Sequence, residues 1–275
     1  MSIIAEIFEY SFLSRAFFVG LLVSLSASLI GVSLVLRRFS MIGDGLSHVG
    51  FGALGLAALL SIAPMALTLP VVVLSAIFLL NLSQKSKGGD GYIALISSGS
   101  LALGVIAVSL GGVNTDLNAF LFGSILAVSK SDAVIASVLS ILTLASYVLF
   151  YHQIYITTFD PAFSKATGIK PERYTFLLSI LTAMIVVIGM RMLGSLLVSS
   201  LIIFPAMTAM RLGKSYKAVT ILSGVESVIA FVIGFMISYV YSLPTGASIV
   251  SVHMVMYLLA LSFSSVRNLA MRRLL

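Results

Sequence analysis

Nine apolar stretches of 17–25 residues follow one another along this chain, near 14–36, 41–60, 64–82, 92–111, 132–150, 174–190, 194–212, 218–242 and 247–264. A hydrocarbon layer about 30 Å thick is crossed by a helix of about 20 apolar residues, so each stretch has the length of a membrane span. Charged residues make up 9% of the chain, where soluble domains carry about 25%. The predicted fold is therefore all-α, a polytopic membrane helix bundle of eight or nine transmembrane helices forming one domain over residues 1–275. The stretch 112–131 is only half apolar and opens on turn residues, and reads as a re-entrant or interfacial helix on the outer face. The first span has no small-residue cleavage site after it and is expected to be retained.

The charge distribution orients these spans. Basic residues accumulate in cytoplasmic loops. With Arg37 and Arg38 placed inside and the spans alternating from there, 13 of the 16 basic residues fall on the inner face, leaving Arg15, Lys130 and Arg191 outside. The amino end is then outside and the carboxyl end inside. The formal charge of +7 is a topology signal and gives no reason to expect a nucleic-acid partner. The absence of cysteine excludes disulfides, thiolate metal sites and cysteine nucleophiles.

Within the apolar stretch Met41–Leu60 stand Asp44 and His48. Four residues apart on a helix, they share one face with Cβ atoms about 5–6 Å apart. Ionisable groups inside a membrane usually mark an ion or substrate path. At 1.5 Å per residue, Asp44 lies about one turn deep and His48 about 11 Å deep, and Glu226 in the span beginning near Ala218 reaches about 12 Å. Asp44, His48 and Glu226 would offer oxygen and nitrogen donors suited to a first-row divalent metal. Structural roles compete with this reading. Asp44 would cap the amide of Ser47, His48 would hydrogen-bond a neighbouring helix, and Glu226 would be protonated or paired with Arg191.

Other polar residues point to structural work. His253 lies mid-span and is expected to pack or to hydrogen-bond the backbone. Asp116, in Asn114-Thr115-Asp116, reads as a helix cap on the outer face, and His152 beside Tyr151 as an interfacial residue. Gly213-Lys214-Ser215 imitates the end of a phosphate-binding loop. That motif requires glycine five positions before Gly213, and Thr208 stands there. Gly50, Gly52 and Gly55 would let helices approach closely, and Pro205 is expected to kink its helix. In the soluble segment 159–171, Asp160 is a good N-cap, Pro161 suits the first helical position, Gly168 suits the residue past the end, and Pro171 prevents continuation. A two-turn cytoplasmic helix exposing Phe163 beside Ala166 and Thr167 follows.

The segments VLRRFSMIGDGLSHVGFG (35–52), NTDLNAFLFGSIL (114–126), DPAFSKATGIKPER (160–173), MLGSLLVSSLIIFPAMTAMRL (192–212) and YSLPTGASIV (241–250) together resemble the membrane permease subunit of ABC importers for zinc, manganese or iron. The resemblance implies a homodimer around a twofold translocation path in a bacterial or archaeal cytoplasmic membrane. It also implies two separate cytoplasmic ATPase subunits and an extracellular metal-binding protein that delivers the ion. The family's ATPase-coupling helix maps onto Asp160–Gly168, with Asp160, Pro161, Phe163, Lys165 and Gly168 as its marked positions. Its acidic and histidine pair maps onto Asp44 and His48, while Glu226 matches less distinctively.

The function expected is that of a transport subunit, not an enzyme, for Mn²⁺ or Zn²⁺, and for Fe²⁺ by the same donor chemistry. The metal is cargo, and no permanently bound cofactor is expected. Asp44, His48 and Glu226 would hold the ion transiently, since conduction requires release. Neutral imidazole is the ligating form, so uptake should weaken as His48 protonates. An ion-coupled secondary metal transporter, with Asp44 and Glu226 relaying protons, is the alternative. A membrane metalloenzyme would need a closed ligand set and a base, such as HExxH, and the chain has no such motif.

Overall fold

The computed structural model describes residues 9–85, 89–111, 129–195 and 197–272, and contains helices and connecting turns without a strand among them. The helices are α1 (Ser11–Leu36), α2 (Ile42–Leu59), α3 (Pro64–Lys85), α4 (Gly89–Gly111), α5 (Lys130–Leu149), α6 (Tyr151–Phe159), α7 (Pro161–Ala166), α8 (Pro171–Leu193), α9 (Val198–Leu212), α10 (Tyr216–Tyr241) and α11 (Thr245–Arg272). Eight of them are long and apolar enough to cross a membrane: α1 to α5, α8, α10 and α11. The interfacial helix expected at 112–131 falls outside the described residues as far as 128. Ser129 caps α5 by accepting the amide of Asp132.

The ninth span expected at 194–212 is shorter than the sequence suggests. Helix α9 has 15 residues, about 22 Å of rise, because the chain turns inside the bundle before it begins. Gly194 takes a φ of +96°, which only glycine adopts without strain. Gly194 and Ser195 are buried, and Val198 packs back against Gly189 of α8. Non-helical backbone is tolerated at membrane depth where protein encloses it. Pro205 lies inside α9, which continues through it.

Helices α8, α1 and α2 are the most enclosed of the long helices, and α4 and α11 the least. Between lipid-exposed helices there is no hydrophobic drive to associate, so close packing and polar contacts must supply it. Two such seams organise the bundle. Along α1 and α10, Ser24 and Ser227 hydroxyls lie 2.7 Å apart, Ser227 donates to the Ser24 carbonyl, and Ser223 donates to the Ser28 carbonyl. Along α2 and α4 the backbones nearly touch. A Cβ on Gly52 would stand 2.7 Å from the Ser100 carbonyl oxygen, and one on Gly55 the same distance from that of Gly104.

This seam should be intolerant of any side chain. Gly55→Val is expected to lower the melting temperature of the detergent-solubilised protein by several degrees, in keeping with overpacking penalties of about 1–3 kcal/mol. Gly99→Ala, also on α4 but with open space around it, should leave the melting temperature unchanged or slightly raised.

Candidate functional site

The α2–α4 seam decides where Asp44 and His48 point. Asp44 belongs to the first turn of α2, where a carboxylate complements the helix dipole, and makes no side-chain cap. Ser47 instead donates its hydroxyl to the Gly43 carbonyl. His48 Nε2 lies 3.7 Å from Asp44 Oδ2. That separation is too long for a hydrogen bond but suits two donors facing one ion, since ligands about 2.1 Å from a tetrahedral metal lie about 3.4 Å apart. The His48 side chain is 16% exposed and that of Asp44 35%. Both face a cavity of about 400 Å³ lined also by Met41, Ile93, Ser97 and Ser98. Helix α2 thus carries an acid and an imidazole side by side.

Glu226 lies elsewhere. Its carboxylate oxygens are 3.0 and 3.1 Å from Nδ1 of His253, and both side chains are buried between α10 and α11. Arg191 holds not Glu226 but Asp132, at 2.8 Å, joining the carboxyl end of α8 to the first turn of α5. Among the described residues no group of three or more His, Asp or Glu side chains is close enough to hold a metal ion. His253, expected to pack or bond to backbone, takes a carboxylate instead. Its Nε2 is buried without a hydrogen-bond partner among the described residues. His152 is exposed and lies edge-on to Tyr151, and Asp116 falls outside the described residues.

The capped helix forms almost as its sequence predicts, as the six residues of α7. Asp160 Oδ1 accepts the amide of Phe163 at 2.8 Å, and Pro161 occupies the first turn. At the far end Gly168 adopts φ +83°. Its amide donates to the Lys165 carbonyl and that of Ile169 to the Ser164 carbonyl, the paired bonds of a Schellman ending. Lys165 Nζ meets Glu172 of α8 at 2.8 Å. Phe163 is 56% exposed, an unburied aromatic ring on a helix held at both ends.

Two polar clusters escaped the sequence reading. Arg37, taken only as a topology charge, donates from Nε to Thr158, from Nη1 to Thr175 and from Nη2 to Thr157, all within 3.1 Å. Burial pushes its pKa down to about 10, which leaves it charged at neutral pH. The Tyr216 hydroxyl lies 2.8 Å from both the Ser33 and the Tyr147 hydroxyls. The adjacent threonines 157 and 158 after an aromatic-rich run were the available signal, but their partner is 120 residues away.

Residues 9–264 match the family model described as the ABC 3 transport family. The manganese import system permease protein ScaB of Streptococcus gordonii is 32% identical over 253 residues, covering 92% of this chain and 91% of that protein. The high-affinity zinc uptake system membrane protein ZnuB of Haemophilus influenzae is 28% identical over 254 residues, covering 92% and 97%. Among solved structures, PsaBC from Streptococcus pneumoniae in complex with Fab superposes with a TM-score of 0.83 at 30% identity, over 94% of this chain and 93% of that one. These matches favour ATP-driven over ion-coupled transport. The chain belongs to the ABC 3 transport family, as a membrane-spanning transport subunit whose ATP hydrolysis is carried by a separate subunit.

Proposed function

We propose that this chain carries divalent transition metal ions inward, with Mn²⁺ or Zn²⁺ as cargo and Fe²⁺ compatible with the same donors, and that Asp44 and His48 hold the ion in transit. The observation that carries this reading is the 3.7 Å separation of carboxylate and imidazole beside a cavity. Two donors are too few for a stable site, as these metals take four or more ligands. A second copy of the chain, meeting the first across the α2–α4 cavity, would contribute its own Asp44 and His48 and complete a mixed oxygen–nitrogen set. Such a set binds moderately, as conduction requires, and discriminates weakly between first-row metals.

In this reading α7 receives the ATPase on the cytoplasmic side, offering exposed Phe163 as an anchor and Asp160, Pro161, Lys165 and Gly168 as the frame that holds it. A complete importer then has two copies of this chain, two ATPase subunits and an extracellular protein that delivers the metal, with amino ends outside and carboxyl ends inside. The relatives named for manganese and zinc import support the choice of cargo. Glu226, considered as a third ligand, is assigned to the α10–α11 contact through His253, the partner it has in this conformation.

The Asp44→Ala/His48→Ala variant should assemble with the ATPase yet lose metal uptake by tenfold or more in cells grown under chelation. Uptake at the unsubstituted level would refute the site. Glu226→Gln, which keeps a hydrogen bond to His253, should stay within about threefold of normal uptake. A loss as deep as that of the double variant would make Glu226 a ligand after all.

A further inference from the structure

Resting on the reading that α7 docks the ATPase, we propose that Arg37 is the positioning residue that converts movement of α7 into movement of α1 and α2, with Tyr216 fastening the same lever to α10. Helix α7 is too short to act alone, and it packs on α6 and α8. Thr157 and Thr158 lie in the last turn of α6, which ends at Phe159 just before Asp160, and Thr175 stands in the second turn of α8. The Arg37 guanidinium uses all three of its nitrogens on these hydroxyls. One planar group at the end of α1 therefore grips both helices that hold α7.

The acceptors are set in advance. Thr157 donates its own hydroxyl hydrogen to the Gln153 carbonyl and Thr158 donates to the Ile154 carbonyl. Each oxygen thus has its proton fixed on α6 and its lone pairs left for Arg37. No carboxylate among the described residues pairs with this guanidinium, although burial disfavours its charge. An apolar side chain of similar length would fill the space with less desolvation. What Arg supplies is a rigid fork with directional donors, suited to transmitting displacement between elements.

Two connections lead onward from the clamp. Arg37 is followed by Arg38 in the left-handed region, φ +63°, and by Phe39, buried at the entry to α2. Asp44 is seven residues from Arg37. On the other side, the Tyr216 ring packs on Tyr151, Tyr155 and Phe159 of α6 at centroid distances of 5.3, 5.0 and 5.9 Å. Its hydroxyl reaches Ser33 of α1 and Tyr147 of α5. Displacing α6 would therefore pull on α1 through Arg37 and on the first residue of α10 through Tyr216.

The test is Mn²⁺ uptake per ATP hydrolysed, measured in proteoliposomes holding the full importer. Arg37→Met should leave the ATPase subunits bound and hydrolysing but lower uptake per ATP at least tenfold, and Arg37→Lys should recover part of it. Thr157→Val/Thr158→Val, which removes two acceptors and keeps the charge, should uncouple in the same direction and serves if Arg37→Met does not fold. Tyr216→Phe, which keeps the ring packing, should uncouple less. Unchanged uptake per ATP in the arginine or the threonine variant overturns the clamp, as does a loss that only follows the amount of assembled complex. Phe163→Ala separates the two readings. If it leaves ATPase binding intact, α7 is not the dock. If it releases the ATPase while Arg37→Met stays coupled, only the clamp is wrong.

Discussion

Close backbone contact between α2 and α4 is the constraint on which the arrangement depends. Gly52 and Gly55 bring α2 within touching distance of carbonyl oxygens on α4, and that approach fixes the rotation of α2 about its axis. Asp44 and His48 then face a cavity shared with α4. In lipid, such rotation cannot be secured by hydrophobic burial, because lipid and protein interior are alike apolar. Steric fit between glycines and backbone does the work instead.

The same economy governs the other polar groups. Buried Glu226 pairs with His253, and half-buried Arg37 with three threonine hydroxyls. The exposed pairs Arg191–Asp132 and Lys165–Glu172 lie at helix ends. Asp44 and His48 face each other across 3.7 Å, beyond hydrogen-bond reach, beside open volume. An unclosed pair of donors is a poor structural device and a good transient ligand set, which is why the site is read there and not at the more deeply buried, hydrogen-bonded α10–α11 pair.

Much of this was legible from local pattern. Apolar run lengths located the eight long helices to within a few residues, since the hydrocarbon thickness imposes them, with α11 running on past its expected end at 264 to Arg272. The α7 helix was readable because its signals are consecutive: Asp160, Pro161 and Gly168 each act on neighbouring backbone. The late start of α9 was not legible, because apolarity does not distinguish helix from the enclosed turn at Gly194 and Ser195 that precedes it. Position along a helix was readable, but rotation about its axis was not. Glu226 was therefore placed at a depth matching His48, while its side chain turns to His253. Arg37 was visible as a charge but not as a clamp, since its partners come from two other helices, α6 and α8, that only packing brings together.

The central claim is that Asp44 and His48 hold the ion in transit, and the most direct measurement is anomalous scattering from Mn²⁺ in crystals of the assembled importer. The account predicts a peak about 2.2 Å from Asp44 Oδ2 and His48 Nε2, shared with the equivalent pair of a second copy. A peak beside Glu226 and His253, or density for the metal that leaves Asp44 and His48 uncoordinated, would contradict it.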